Sequence, residues 1–416
     1  MRTVTVVGCL GEVPATAAGR VAAATLVAGA ERLLSTVDNS SAERVVMGDV
    51  AAALDRVVAH DGPVAVLASG DPGFFGIIRA LRRRGVEVDV WPAPSSVAVA
   101  FARIEEQWDD AIVVSAHGRR LAPAANACRA YPKVAVLTGP GTGPAELGAA
   151  LSGTSRRLVV AEWLGSPGER ITEVGPAEAA ARQWRDPNVV LVLADHLLRE
   201  RPMTERYQPD IPLAEHPLAK AARLGMPWVA GAPPAPSGWA LPDEVFEHRM
   251  ITRAEVRALA LARLGSRLGD MLWDVGAGSG SVAVEGARFG AAVLAVERDP
   301  AACASIRANA ARLGVELGIV EGEAPECLAD LPDPDAVFVG GGGLEVLDAC
   351  LARRPARVVA TYAALERVGP ALAALARDGY WAEGVQVQAN RLAALPDGTH
   401  RLAATNPVYL VSGVLS

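Results

Sequence analysis

The chain has 416 residues, 51% of them hydrophobic and 21% charged, with a formal net charge of −7. That length exceeds one ordinary core and predicts two domains, possibly a third. No apolar run reaches the roughly 18–20 residues of a membrane helix, and the acidic balance disfavours nucleic acid as a partner, because such binding needs a basic surface to displace counterions.

The opening "MRTVTVVGCLGE" enters strand-like alternation at once, without the basic start and apolar block of a signal peptide, and points to the cytoplasm. The five cysteines, Cys9, Cys128, Cys303, Cys327 and Cys350, form no C-x-x-C pair and read as buried thiols in a reducing compartment. Six histidines without metal-ligand spacing predict no protein-bound metal.

In the first half "TVTVVG", "VAVLASG", "VEVDVWPA", "AIVVSAHG", "KVAVLTG", "RLVVAEWLG" and "VVLVLAD" read as strands buried on both faces. "AAGRVAAATLVAGAERLL" and "PAELGAALSG" read as helices between them. From Pro202 to Pro242 prolines recur every few residues, which excludes a long helix or a central strand. The expected division is therefore 1–198, a proline-rich linker 199–235, and a second domain 236–416. Beyond it "MLWDVG", "AVLAVER", "VELGIVEG", "AVFVGGGG", "RVVATYA" and "VYLVSG" alternate with helical "RAEVRALALARLG", "PAACASIRANAARLG" and "ALERVGPALAALARDG". Each half is α/β in type.

"WDVGAGSGSVAVE" follows a strand and opens a helix. A dinucleotide turn wants G-x-G-x-x-G, yet Ser281 stands where the third glycine of Gly276, Gly278, Gly280 spacing would fall, and no Gly-Lys-Ser/Thr of a phosphate loop follows. Asp274 at the strand end would repel a pyrophosphate and suits a cationic sulfonium ligand. Glu297 ends the next strand, 21 residues past Gly276, where an acid can take both ribose hydroxyls. Glu323, beside Ala324, is placed one strand later for an adenine edge. These are the marks of a Rossmann-like S-adenosylmethionine-dependent methyltransferase; a bare strand–helix turn with solvated surface acids is the plainer alternative. "VFVGGGG" lacks the Asn/Asp-Pro-Pro-aromatic signature of amino-group methylases, and its four glycines leave a pocket mouth open to something broad and flat.

In the first half Gly70, Asp71 and Pro72 sit in "SGDPGFFG" between a strand and a helix, which alone is ordinary turn chemistry. "PAPSSVAVAFA", "SAHGR", "VLTG" and "EWLGSPGE" follow in order. That succession resembles the tetrapyrrole methylases, a second S-adenosylmethionine-binding fold, over residues 1–198. The second half, from "EVFEHRMITRAEVR" through the glycine turn to "NPVYLVSG", is similar to the decarboxylating methylases of the corrin pathway.

The resemblance implies cobalamin biosynthesis: methylation of a precorrin-6 macrocycle at carbons 5 and 15, loss of carbon dioxide from the ring C acetate, and one cofactor site per half with S-adenosylhomocysteine as product. It implies cofactor contacts from Gly70, Asp71, Pro72, Ser96, Leu164 and Gly165, with Thr252 near the methionine end of the second site. Assembly into a homo-oligomer is also implied. Two departures stand out: "VVGCLGEVPATAAG" replaces the family's V-G-x-G-x-D-G opening, and "ATYAALE" replaces "NAVTLE". Proton handling falls to His248 and Tyr362 as candidates. A polycarboxylate substrate calls for bidentate arginines, for which Arg119, Arg120, Arg249, Arg253 and Arg298 are the candidates, each otherwise a solvated surface arginine. Rival readings are an RNA or protein methyltransferase, an NAD-dependent oxidoreductase, and a chain whose first half is inactive.

Overall fold

In the computed structural model, residues 3–39, 41–195, 231, 238–247 and 250–416 are described. His248, Arg249, the stretch Leu197 to Pro227 and all of the expected linker except Gly231 lie outside them. The chain forms two units, Met1–Leu121 with Lys133–Asp195, and Ala122–Pro132 with His196–Ser416.

The first unit holds two five-stranded sheets. Strands β1 (Thr3–Cys9), β2 (Leu26–Gly29), β3 (Glu43–Val46), β4 (Val64–Ser69) and β5 (Glu87–Trp91) pair in the order β3-β2-β4-β1-β5, all parallel. Valine and leucine runs drive this pairing: Val4, Val6, Leu26 and Val66 are fully covered. The second sheet, β6 (Ile112–Ser115), β7 (Lys133–Leu137), β8 (Arg156–Glu162), β9 (Arg170–Val174) and β10 (Asn188–Ala194), has the order β6-β7-β10-β8-β9 and mixed direction. One expected helix divides here. "AAGRVAAATLVAGAERLL" is helix Ala15–Ala22, then β2, then the single turn Glu31–Leu34. The four β2 residues are all buried, a run too short for its period to show against flanking alanines.

The second unit is built on seven strands: β11 (Met271–Val275), β12 (Ala292–Glu297), β13 (Gly318–Glu321), β14 (Ala336–Val339), β15 (Arg357–Tyr362), β16 (Tyr380–Val387) and β19 (Val408–Leu415). Their order is β13-β12-β11-β14-β15-β19-β16, parallel from β13 to β15 and antiparallel at β19 and β16. Strands β17 (Arg391–Ala394) and β18 (His400–Ala403) form a separate hairpin. Buried Trp273, Val337, Val358 and Leu347 fill one face of the sheet, and Leu272, Phe338 and Leu264 the other. The chain runs outward from β11 to β13 and returns to β14 on the other side, so the carboxyl ends of β11 and β14 flank a crevice where open α/β sheets take ligands. Each half is an α/β fold. Among the described residues no helix is long and apolar enough to cross a membrane.

Candidate active site

The crevice of the second unit is lined by backbone because three glycines leave it no alternative. Gly276, Gly278 and Gly280 all adopt left-handed φ, +72°, +55° and +68°. A Cβ on Gly276 would stand 2.7 Å from the Gly341 nitrogen, and one on Gly278 2.9 Å from the Met250 carbonyl oxygen. Gly280 packs on Ile306 and starts helix Ser281–Arg288. The result is a cavity of about 570 Å³, within the roughly 300–1,000 Å³ typical of small-ligand sites. Thr252, Arg253, Gly276, Gly278, Glu297, Arg298, Glu323, Ala324 and Tyr362, all named from the sequence, line this one space. Met250, Thr361, Val346 and the Gly340–Gly342 backbone complete it.

The three acids have different roles in the geometry. Glu297 ends β12 on the cavity wall; its Oε2 accepts the Gly278 N–H at 2.9 Å, and Oε1 accepts those of Arg298 and Asp299 at 2.9 and 3.0 Å. Glu323 is exposed on the rim and accepts from Arg298 at 2.8 Å, so that arginine already has an acidic partner. Asp274 stands behind the wall. It is wholly buried, with Oδ2 accepting the Ala283 N–H at 2.8 Å and Oδ1 without a hydrogen-bond partner. Burial pushes its carboxyl up to about 7; the Ala283 N–H opposes the shift and the Glu297 charge adds to it.

A buried ionic knot holds the loop carrying Thr252 and Arg253. Arg257, fully covered in helix Ala254–Leu264, donates to Glu285 Oε1 at 2.7 Å and also to the carbonyls of Thr252 and Leu241. The Glu285 carboxylate further accepts the Ala240 and Leu241 N–H groups at 2.7 and 2.9 Å. Asp243 accepts from Arg253 at 3.0 Å and from the Ala254 N–H at 2.9 Å. Sequence reasoning missed this knot, since an arginine in an Ala/Leu-rich helix carries no sign that it points inward. Tyr362, at the end of β15, is 6% exposed; its hydroxyl has no hydrogen-bond partner, and burial raises its pKa.

In the first unit the loops after β1, β4 and β5 converge. Gly70 (φ +67°) donates its N–H to the Cys9 carbonyl at 2.8 Å, and a Cβ on Gly8 would stand 2.6 Å from the Gly70 oxygen and 2.7 Å from the Ala93 nitrogen. Asp71 closes the turn by accepting the Gly73 N–H at 2.7 Å, and Pro72 is buried. Ser96 begins helix Ser96–Arg103, capped by Ser95. Leu164 packs on the second sheet's core. Gly165 gives its N–H to Glu169 at 2.7 Å, and its carbonyl lies hard against Gly11 of the altered opening loop. Arg119 and Arg120 are exposed, with the Arg119 guanidinium over the Phe75 ring at 5.6 Å.

Two glycine-rich turns at carboxyl strand ends, one per α/β unit, define a two-part methyltransferase. Residues 6–181 match the tetrapyrrole (corrin/porphyrin) methylases and residues 244–410 the precorrin methyltransferase domain. The chain is 40% identical over 300 residues to a Sinorhizobium precorrin-6Y C(5,15)-methyltransferase (decarboxylating), covering 70% of this chain and 65% of that one. The Mycobacterium tuberculosis CDC 1551 protein of the same name is 33% identical over 346 residues, 80% of this chain and 78% of its own. A probable cobalt-precorrin-6B C(15)-methyltransferase (decarboxylating) from Pyrobaculum calidifontis is 40% identical over 185 residues, 41% of this chain and 94% of its own. The chain belongs to the precorrin-6Y C(5,15)-methyltransferase (decarboxylating) family of cobalamin biosynthesis.

Proposed function

We propose that the chain methylates a precorrin-6 macrocycle at carbons 5 and 15 and releases the ring C acetate carboxyl as carbon dioxide, with S-adenosylmethionine serving both halves. Residues 1–198 take carbon 5. Residues 236–416 take carbon 15 and the decarboxylation, the pair of activities named for the Pyrobaculum relative, which aligns over 41% of the chain. The observation that carries the reading is the second-unit cavity. Its turn puts Gly276 and Gly278 on the cavity, its wall presents Glu297 to a diol, and its rim adds Glu323 and Ala324. This donor set fits a nucleoside with a cationic tail.

When bound, the cofactor supplies an electrophilic methyl group on its sulfonium. The macrocycle carbon is electron-rich, so the protein's part is alignment for in-line attack. Gly276 and Gly278 allow close backbone approach, while the knot of Arg257, Glu285 and Asp243 fixes Thr252 in the cavity lining. For decarboxylation the C–C bond to the carboxyl breaks and its electron pair passes into the conjugated imine of the ring. The carbanionic centre then needs a proton. Tyr362 suits the task, because burial keeps its phenol protonated and its O–H is uncommitted. Arg253 and Arg298 would exchange Asp243 and Glu323 for substrate carboxylates, with Arg119 and Arg120 serving the first half. Cytoplasmic action suits five cysteines that form no disulfide. A homo-oligomer that binds neither nucleic acid nor membrane completes the reading.

Calorimetric titration of S-adenosylhomocysteine into the full chain tests it. Two sites are expected, one of them weakened at least tenfold by Gly278→Ala; a single site would reduce the first half to a non-catalytic part, and none would overturn the reading.

A further inference from the structure

Several arginines of the first unit are paired with acids: Arg20 with Asp89, Arg84 with Asp55, Arg103 with Glu169, Arg170 with Glu162. Arg32 is not. It leaves the carboxyl end of β2 in the single turn Glu31–Leu34, and its guanidinium reaches across the sheet's carboxyl edge to donate to the Ser69 hydroxyl, the last residue of β4. The residue after Ser69 is Gly70. Cys9, the last residue of β1, is the other titratable group near Arg32, and burial pushes that thiol up to about 11, so it stays neutral. Among the described residues no carboxylate forms an ion pair with Arg32.

Two physical facts follow. A guanidinium that has lost part of its water is unfavourable unless an anion returns the lost interaction, and burial of Arg32 lowers its pKa, opposed by the Cys9 thiol and by no carboxylate. Its partner Ser69 is nevertheless exposed, so the pair borders solvent, while Leu33 and Leu34 beside Arg32 are buried. A half-buried guanidinium at an exposed strand end with no acidic partner describes a cation waiting for an anion. Its place, over the ends of β2, β4 and β1, is where parallel sheets take ligands.

Resting on the functional reading above, we propose that Arg32 is the carboxylate-binding residue of the first-half methylation site, receiving a carboxylate that the reaction brings in. That carboxylate is either an acetate or propionate arm of the macrocycle or the amino-acid end of the cofactor. Arg32 binds it in charge-assisted fashion, with Ser69 turning its hydroxyl to the same oxygen. The residue holds ligand in register and transfers no proton.

The second unit of the full chain serves as the control, because Arg32 lies in the first. Arg32→Gln and Arg32→Lys are compared with wild type in three measurements: methyl transfer to each carbon, titration with S-adenosylhomocysteine, and titration with methylthioadenosine, which lacks the carboxylate. If the anion is a macrocycle arm, Arg32→Gln raises KM for the first-half methylation tenfold or more. Cofactor binding and carbon dioxide release then stay at the wild-type level, and Arg32→Lys recovers part of the loss. If the anion belongs to the cofactor, one S-adenosylhomocysteine site weakens tenfold or more while methylthioadenosine binds as in wild type. Either result supports the assignment. It is overturned if both variants match wild type throughout, or if S-adenosylhomocysteine and methylthioadenosine weaken equally, which marks a structural role. A wild-type chain with no first-half cofactor site overturns the functional reading itself, before any variant is made.

Discussion

Replacing Asp274 by asparagine isolates the proton that the buried carboxyl is expected to hold. The amide side chain keeps an oxygen for the Ala283 N–H at the head of helix Ser281–Arg288 but cannot titrate. The wild-type carboxyl titrates near 7 when folded, against an ordinary value of 3.8. A folded-state pKa above the unfolded one means that the native state binds the proton more tightly. The stabilisation is therefore complete below 3.8 and disappears as pH rises through 7. Proton linkage over that window gives about 2.7 kcal/mol at pH 5 and almost nothing at pH 8. Urea unfolding of both proteins at pH 5, 6, 7 and 8, followed by hydrogen exchange in peptides spanning residues 271–288, reads this locally in the second unit. The wild type should lose about 2–3 kcal/mol relative to Asp274→Asn between pH 5 and pH 8. Parallel curves would show that Asp274 is ionised throughout, and would refute the argument that an unpartnered Oδ1 in a dry site keeps its proton.

Other substitutions probe neighbouring parts of the same site. Gly278→Ala puts a methyl against the Met250 carbonyl in left-handed backbone; about 1–2 kcal/mol of stability should go, with one of two S-adenosylhomocysteine sites weakened at least tenfold by calorimetry. Arg257→Met removes the cation bonded to Glu285 Oε1 and leaves that carboxylate only Arg288 at 3.6 Å, so chemical denaturation should report a loss of about 3 kcal/mol from the second unit. Tyr362→Phe removes a hydroxyl that bonds to nothing. Stability should stay within about 0.5 kcal/mol while carbon dioxide release slows by about 10²-fold; an unchanged release rate would remove Tyr362 from proton transfer.

Features that backbone conformation imposes on residue choice were legible in the sequence. Gly276, Gly278 and Gly280 could be read because left-handed φ and close contacts at Gly341, Met250 and Ile306 leave glycine as the residue that fits. The place of Glu297 could be read as well, because one helix and one strand separate it from the turn in a βαβ unit. The β2 strand could not, since four buried residues among alanines carry too little period. Long-range charge pairing was equally hidden. Arg253 and Arg298, candidates for the carboxylates of the substrate, already have Asp243 and Glu323 as partners. Arg32 attracted no notice, yet its reach to Ser69, 37 residues away, leaves it without an acid. A motif specifies where a ligand's neutral framework can lie because close packing constrains single positions. Which cations remain available to the ligand's charges depends on how every nearby acid has been satisfied, and that is settled by the folded sheet edges.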